Sequence, residues 1–285
     1  SFSVSAAQRG HDVSLFDAAP GIGGQFNIAK KVPGKEEFHE TLRYFGRQLA
    51  LHGVRLKLNT RVGADDLIAG AYDEVVLATG ILPRVPDIEG VAHPKALDYL
   101  DVLRDDQPVG PRVAVVGAGG IGFDVGEYLT HAGESGALAP AKFYAEWGVD
   151  PDYQAAGGLR QPAVEAPARR VFLLQRKTSK VGDQLGKTTG WIHRTSLKTR
   201  GVAMHSGVRY ERIDDAGLHL SVNGQPQLLE VDHVVVCAGQ EPRRELLQAL
   251  TEAGLSVHLI GGADVAAELD AKRAILQGTE LAASI

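Results

Sequence analysis

The amino-acid sequence predicts an α/β protein built from two Rossmann-like dinucleotide-binding domains. The first observation is RVAVVGAGGIGFDVGEYL, residues 112–129, in which an apolar strand, a glycine turn and a helix follow one another directly. The second is a strand-then-glycine pattern near both ends of the chain, at Ala78-Thr79-Gly80 and at Gly261-Gly262-Ala263-Asp264. The third is composition, because 34 glycines and only 6% aromatic residues favour many tight turns between strands and helices.

Composition also excludes several classes of partner. The net charge is −5 and there is no long basic run, so nucleic acid and anionic membrane surfaces are poor partners. No apolar run approaches the ~20 residues that span a bilayer, and the first residues lack the pattern of a secretory signal. Cys237 is the only cysteine, which excludes an internal disulfide, a cysteine zinc site and a dithiol redox pair. We therefore expect a soluble cytoplasmic protein that binds small molecules.

The predicted domains interleave along the chain. The first comprises residues 1–108 and returns at 237–285, and the second is inserted between them at 109–236. A plain βαβ unit takes about 30 residues, so we interpret the Gly- and Pro-rich residues 133–168 as an insertion after the first helix of the second domain. The chain opens with SFSVSAAQRGHDVSLFDA, a helix end and a strand, so the first domain is expected to lack its initial strand and glycine turn, a truncation at the N-terminus.

The glycine turn after residue 116 is the strongest local motif. Its first glycine permits a tight turn, its second lets backbone approach a pyrophosphate, and its third lets the helix pack closely on the strand. The phosphates would then lie at a helix N-terminus, which attracts anions. A glycine turn without a ligand is the alternative. The residues predicted to bind the dinucleotide are Gly117, Gly119, Gly120, Ile121 and Gly122.

The next strand of this domain indicates which dinucleotide is bound. An NAD site usually carries Asp or Glu at the end of that strand, where the carboxylate accepts the ribose hydroxyl. Here the strand ends in Gln175-Arg176-Lys177, which offers two cations where the 2′-phosphate of NADPH would lie. The sequence therefore favours NADPH. The alternative is that Arg176 and Lys177 are a solvated basic pair.

A second nucleotide site is predicted in the first domain. Asp17 ends a strand where a carboxylate accepts two ribose hydroxyls, and the flexible loop Gly21–Gln25 follows, able to run against a pyrophosphate. The alternative is a turn or capping role for Asp17, which is common for a strand-end Asp.

Two further features fit a cofactor that lies against backbone. Small residues end two β-branched strands, at Ala78-Thr79-Gly80 and Cys237-Ala238-Gly239, as expected close to a cofactor or at a domain crossing. Asp264 offers a second carboxylate, and the helix after it is predicted to direct its N-terminal amides at an electron-rich ring. Plain strand exits, and a capping role for Asp264, are the alternatives.

No catalytic or metal-binding residue is predicted. The ten histidines show no metal-ligand spacing such as HExxH, and His193 is interpreted as a packing residue. Cys237 lies in an apolar strand and is expected to be inert, since a reactive thiol needs exposure and a cationic neighbour. Hydride transfer between two bound rings needs no acid or base from the protein.

With these motifs placed, the chain resembles the flavoproteins in which an FAD domain is interrupted by an NAD(P)H domain. Within that group it resembles the C-terminal half of the bacterial NADPH-dependent 2,4-dienoyl-CoA reductases, which are similar to trimethylamine dehydrogenase. The resemblance covers essentially the whole chain. The stretches that carry it are GGQFNIAKKVPGKEEFHETLRYF, ALDYLDVLRD, GAGGIGFDVGEYL, LLQRKTSKVGDQLGKTTGWIHRT, VVVCAGQEP and VHLIGGADVAAELDAKRAILQGT.

The resemblance implies cofactors, an activity and partners. This half would oxidise NADPH and reduce FAD, and electrons would pass through a 4Fe-4S cluster to FMN in an N-terminal barrel of the same parent chain that this sequence lacks. The parent enzyme would act in the β-oxidation of unsaturated fatty acids. For NADPH it implies the glycine turn with Arg176 and Lys177. For FAD it implies Asp17, Gly24, Gln25, Arg43, Val62, Ala78, Thr79, Gly80, Asp264, Asp270, Ala271 and Lys272.

Two other functions remain open from the sequence. One is a stand-alone NADPH:flavin disulfide reductase of the thioredoxin-reductase type, against which the missing CxxC motif argues. The other is a module that binds NADPH without electron transfer.

Overall fold

The computed structural model describes residues 1–267 and 269–285, which form two compact units. The first unit comprises Ser1–Phe26, Phe38–Arg84 and Gln240–Ile285. The second comprises Asn27–Glu37 and Val85–Gly239. In the second unit, the short segment 27–37 is joined to a helix by an ion pair of 2.6 Å between Lys35 and Asp124.

The elements alternate between strands and helices over much of the chain. The helices of the described residues are α1 (Phe2–Gln8), α2 (Phe26–Ala29), α3 (Phe38–Leu51), α4 (Ala64–Ala69), α5 (Tyr99–Leu103), α6 (Gly120–Thr130), α7 (Pro140–Trp147), α8 (Gly190–Thr199), α9 (Leu247–Glu252) and α10 (Ala271–Ser284). Short 3₁₀ turns occur at Ala156–Gly158 and Gly261–Ala263.

The strands of the described residues are short. They are β1 (Ser14–Phe16), β2 (Arg55–Lys57), β3 (Glu74–Leu77), β4 (Ile81–Pro83), β5 (Ala96–Asp98), β6 (Arg112–Val116), β7 (Arg170–Leu174), β8 (Ala203–His205), β9 (Val208–Asp214), β10 (Gly217–Val222), β11 (Gln225–Leu229), β12 (His233–Val236), β13 (Gln240–Pro242) and β14 (Ser256–Leu259).

The second unit is built on a five-stranded parallel sheet with the order β5-β12-β6-β7-β8. Its central strand β6 is a continuous apolar run, and Val113, Ala114 and Val115 are each 0% exposed. Such runs are typical of a parallel sheet covered on both faces. From β6 the chain runs outward through β7 to β8, whereas β12 and β5 lie on the other side of β6. This reversal is the point at which open α/β sheets bind ligands, at the carboxyl ends of the strands.

An antiparallel meander packs against this sheet within the second unit. Its strand order is β11-β10-β9, and β9 and β10 shift register between His219 and Leu220. Leu218 and Leu220 of β10 join Val116 and Leu174 of the parallel sheet in one buried apolar cluster. The meander therefore packs against the carboxyl ends of β6 and β7.

Residues 133–168 separate α6 from β7. They contain α7, which ends at Gly148, and a loop organised by the buried carboxylate of Asp150, which accepts hydrogen bonds from the amides of Asp152 (3.2 Å) and Ala155 (2.6 Å). An isolated bridge pairs Val149 with Leu159. The segment is therefore folded by its own local contacts.

In the described part of the first unit the strands form the parallel pairs β1-β2 and β14-β3 and the antiparallel pair β13-β4. Helix α1 packs against α10, where Gly278 lies against the backbone of Phe2. Buried apolar clusters around Leu77 and Leu250, and around Leu49, stabilise the unit.

The predicted α/β fold with parallel sheets of the Rossmann type is confirmed. Helix α10 begins at Ala271, directly after its cap: the Asp270 carboxylate accepts a hydrogen bond of 2.7 Å from the Arg273 amide. Among the described residues, no helix has both the length and the hydropathy needed to cross a membrane.

Candidate functional site

The glycine turn lies at the carboxyl end of β6, beside the reversal of strand order. The Gly117 amide donates a hydrogen bond of 3.0 Å to the Leu174 carbonyl, and Gly117 has φ = 108°. A side chain at Gly117 would overlap the Cys237 carbonyl, and one at Gly122 would overlap the Gly117 carbonyl. Both glycines are therefore required by the fold itself, with or without a ligand.

Gly119 and Gly120, which lie between these two glycines, have a different environment. A Cβ atom added to Gly119 or Gly120 would have no heavy atom within 4 Å. Gly119 is the N-cap of α6, a helix of 11 residues, so the free amides of the first turn face this open space. A diphosphate can approach the backbone here, and the amides and helix dipole attract its charge. The turn therefore fits the pyrophosphate of a dinucleotide.

The predicted cations lie at the same edge of the sheet. Arg176 and Lys177 follow β7 after the buried Gln175, and both are exposed. The Tyr210 hydroxyl of β9 donates a hydrogen bond of 3.1 Å to the Leu174 carbonyl, the oxygen that also accepts the Gly117 amide. Burial raises the pKa of Tyr210 far above its usual range, and the charge of Arg176 acts in the opposite direction. Arg176 thus lies close to Tyr210 and to the start of the glycine turn.

In the first unit, Asp17 follows β1 and has a local role. Its backbone amide donates to the Lys57 carbonyl at 3.0 Å, and its carboxylate accepts the Ala19 amide at 2.9 Å. Asp17 therefore closes a turn, which agrees with the alternative interpretation of this residue. Gly24 and Gln25 are exposed in the loop before α2.

Two other predicted residues of this unit occupy separate places. Arg43 is exposed on α3 and forms an ion pair of 2.6 Å with Glu40. Val62 lies between β2 and α4 and packs against the apolar cluster around Leu77. The described contacts do not bring Arg43 and Val62 together with Asp17.

A second group forms where β3 and β14 end side by side. The Thr79 hydroxyl donates a hydrogen bond of 2.5 Å to the Arg243 carbonyl, and the Arg243 amide donates to the Gly80 carbonyl at 3.0 Å. Gly262 lies against the backbone of Gly80, and the Gln277 side chain donates to the Asp264 carboxylate at 2.8 Å. The structure thus brings the Ala78–Gly80 turn next to the Gly261–Asp264 turn.

The middle of α10 belongs to this group through Gln277, which also accepts the Gly261 amide at 2.8 Å. Asp270, Ala271 and Lys272 form the N-terminal turn of α10, and Asp270 is used as its cap. The described contacts do not join this group to Asp17. The two carboxylates predicted to hold one cofactor therefore lie at the ends of different two-stranded sheets.

Three residues of these sites were not predicted from the sequence. Arg244 donates hydrogen bonds to the carbonyls of Ala263 (2.6 Å) and Asp264, which fixes the second turn. Gln277 and Tyr210 have the roles described above. Each contact joins residues at least 13 positions apart, so no local pattern indicates it.

Cys237 and His193 are the residues judged inert from the sequence, and the backbone of Cys237 lies against Gly117 of the glycine turn. Cys237 is buried, and burial raises the pKa of its thiol well above the usual range, so the thiolate is strongly disfavoured. The His193 amide contacts the Thr189 carbonyl within α8. Within residues 1–267 and 269–285, no cluster of His, Cys, Asp and Glu has the arrangement of a metal site.

The parallel sheet, its reversal point and the open glycine turn define a Rossmann-type dinucleotide-binding protein. A comparison with family models gives the more specific class. Residues 1–273 match the pyridine nucleotide-disulphide oxidoreductase family, and the chain belongs to that family. It is therefore an oxidoreductase domain that binds FAD and a nicotinamide dinucleotide.

Similar proteins are longer than this chain. A metal reductase of Desulforamulus reducens is 26% identical over 92% of this chain and 39% of its own length. A bilirubin reductase of Mediterraneibacter gnavus is 26% identical over 96% of this chain and 37% of its own length. A solved 2-naphthoyl-CoA reductase complex has a TM-score of 0.81 and 25% identity, and covers 100% of this chain and 38% of its own. The chain thus spans about two fifths of these relatives.

Proposed function

We propose that this chain is the NADPH-oxidising, FAD-reducing part of a larger flavoprotein reductase. The observation that carries the proposal is the pair of exposed cations, Arg176 and Lys177, at the edge of the sheet that holds the open glycine turn. An exposed guanidinium beside a pyrophosphate-binding turn suits a 2′-phosphate, which NADPH has and NADH lacks. An NAD site usually has a carboxylate at the position of Gln175, and that carboxylate would repel the 2′-phosphate. Gln175 carries no charge and does not repel it.

In this proposal the residues of the chain bind and orient the two cofactors and take no part in the chemical reaction. The first amides of α6 would hold the diphosphate, and Arg176 and Lys177 would hold the adenosine end, which would orient the dinucleotide along the carboxyl ends of the strands. In the first unit, Asp17 would accept ribose hydroxyls of FAD, and the paired turns at Gly80 and Asp264 would lie near its flavin. When bound, the nicotinamide supplies a hydride and the flavin accepts it.

We further propose that the parent enzyme reduces a conjugated acyl-CoA, the 2,4-dienoyl-CoA class. The six stretches of sequence that resemble such reductases support this, and a cinnamate reductase of Clostridium sporogenes is 24% identical over 91% of this chain. A 4Fe-4S cluster and FMN in other parts of the parent protein would carry electrons onward. The acyl-CoA would then bind outside this chain.

Anaerobic titration tests the core of the proposal. The chain is reconstituted with FAD, and NADPH or NADH is added while the flavin absorption near its visible maximum is recorded. We expect stoichiometric bleaching with NADPH and much slower bleaching with NADH. Binding of NADPH to the flavin-loaded chain without bleaching would contradict the reductase function and would favour a binding module.

Replacing Arg176 with Ala should weaken the binding of NADPH more than the binding of NADH. Loss of one charge-assisted hydrogen bond costs about 1.5–3 kcal/mol, or roughly a 10- to 100-fold increase in Kd. NADH should change by less than about twofold, because it lacks the phosphate that Arg176 contacts. Calorimetric Kd values for both nucleotides check this. Lys198→Ala, which removes an exposed charge at the end of α8, is the control, and an equal loss for both nucleotides would refute the assignment.

A further inference from the structure

The loop after β7, residues 176–182, carries the predicted cations, and one buried side chain at its start binds its backbone. Gln175 is only 8% exposed, and its amide nitrogen donates to the carbonyls of Ser179 (2.9 Å) and Lys177 (3.2 Å). Its amide oxygen accepts the Gly182 amide at 3.4 Å. One side chain therefore engages three backbone groups of residues 177–182 as both donor and acceptor.

The far end of this loop is fixed by independent contacts. The Gly182 carbonyl accepts a hydrogen bond of 2.7 Å from Arg194 of α8. A Cβ atom added to Gly182 would lie 2.6 Å from the ring of the buried Phe123 of α6, so the backbone packs directly on that helix. The Lys177 carbonyl also accepts the Gly207 amide at 2.9 Å. Residues 176–181 are thus anchored at both ends.

The loop carries like charges that would otherwise favour an open conformation. Arg176, Lys177 and Lys180 are all exposed, and they fall within five consecutive positions. Holding three cations together without a bound anion is unfavourable, so the bonds made by Gln175 oppose this repulsion. A loop already folded around the phosphate position loses less conformational entropy when the ligand binds.

We infer that Gln175 is a specificity-determining positioning residue, which presets the Arg176–Gly182 loop for a ligand with a phosphate on the adenosine ribose. The inference rests on the proposed NADPH function. Its side-chain amide is turned inward and is bonded to the loop backbone. The residue at the end of β7 therefore selects NADPH in two ways: it provides no carboxylate, and it orders the cations.

The test uses Gln175→Met, which keeps the length and apolar stem of the side chain but removes every hydrogen bond of its amide. The matched control is Gln227→Met on exposed β11. Calorimetry measures Kd for NADP⁺ and NAD⁺, which differ only in the 2′-phosphate. In Gln175→Met we expect the Kd for NADP⁺ to rise about tenfold and the Kd for NAD⁺ to rise less than about twofold, because only the 2′-phosphate needs the ordered loop. The control should change neither.

A second measurement reports on the loop without any ligand. Hydrogen exchange of the Gly182 amide should become at least about tenfold faster in Gln175→Met than in the wild type, because its acceptor is gone. Unchanged exchange, or an equal loss of affinity for both nucleotides, would overturn the inference. A wild-type chain that prefers NAD⁺ would instead refute the proposed NADPH function, and the inference with it.

Discussion

Replacing Gly119 with Asp is expected to abolish tight binding of NADP⁺ while leaving the protein as stable as the wild type or more so. Asp is a preferred N-cap residue, and a Cβ atom at position 119 meets no heavy atom within 4 Å, so the fold accepts it. The carboxylate would occupy the space proposed for the pyrophosphate. Two like charges about 4 Å apart near a protein surface repel by about 4 kcal/mol, which corresponds to a roughly thousandfold rise in Kd.

Calorimetry with NADP⁺ and a thermal melt of the same samples check the two halves of this prediction. Gly119→Asn is the matched control, because Asn caps the helix equally well and fills the same space without charge. It should raise Kd about tenfold, by bulk alone. If the Asp variant bound NADP⁺ as tightly as the wild type, the pyrophosphate would have to lie elsewhere.

Replacing Arg200 with Met should destabilise the second unit by about 3–5 kcal/mol. The guanidinium, 14% exposed, pairs with Glu127 of α6 and lies 3.9 Å from Glu146 of α7. Its loss leaves two largely buried carboxylates without a cation, and an uncompensated buried charge costs more than a missing contact. Arg200 follows α8, and its pairing with Glu127 and Glu146 connects α8 to α6 and α7. We therefore expect α7 to separate from α6 and α8 before the rest of the second unit unfolds.

Urea unfolding, monitored by tryptophan fluorescence, measures this loss of stability. Both tryptophans, Trp147 and Trp191, lie in the second unit. The double variant Arg200→Met with Glu127→Gln should recover part of the loss, since it removes one of the stranded charges. A change of less than about 1 kcal/mol in the single variant would mean that the cluster is solvated and contributes little.

The fold could be predicted from local patterns, because those patterns express what the backbone requires. The apolar run of β6 shows burial on both faces, and Gly117 and Gly122 stand where any side chain would overlap a carbonyl. Arg176 and Lys177 could be singled out for a related reason: in this fold the carboxyl end of β7 lies next to the glycine turn.

The arrangement around the candidate sites could not be predicted in the same way. Gln175 was noted only as the absence of a carboxylate, since nothing in QRKTSKVG shows that its amide turns inward. Asp264 resembled Asp17 in sequence, yet its carboxylate is bound by Gln277 of α10, and Asp17 closes its own turn. These contacts depend on which segments the tertiary fold brings together.

The position of residues 133–168 has a practical consequence. They leave α6 at its C-terminal end, about 16 Å along the helix from the phosphate-binding turn, given 11 residues at about 1.5 Å each. They then enter β7 at its amino end, the edge of the sheet opposite to Gly117. Both ends of this segment are therefore anchored away from the phosphate-binding turn, and changes in its length or sequence are expected to leave that turn in place.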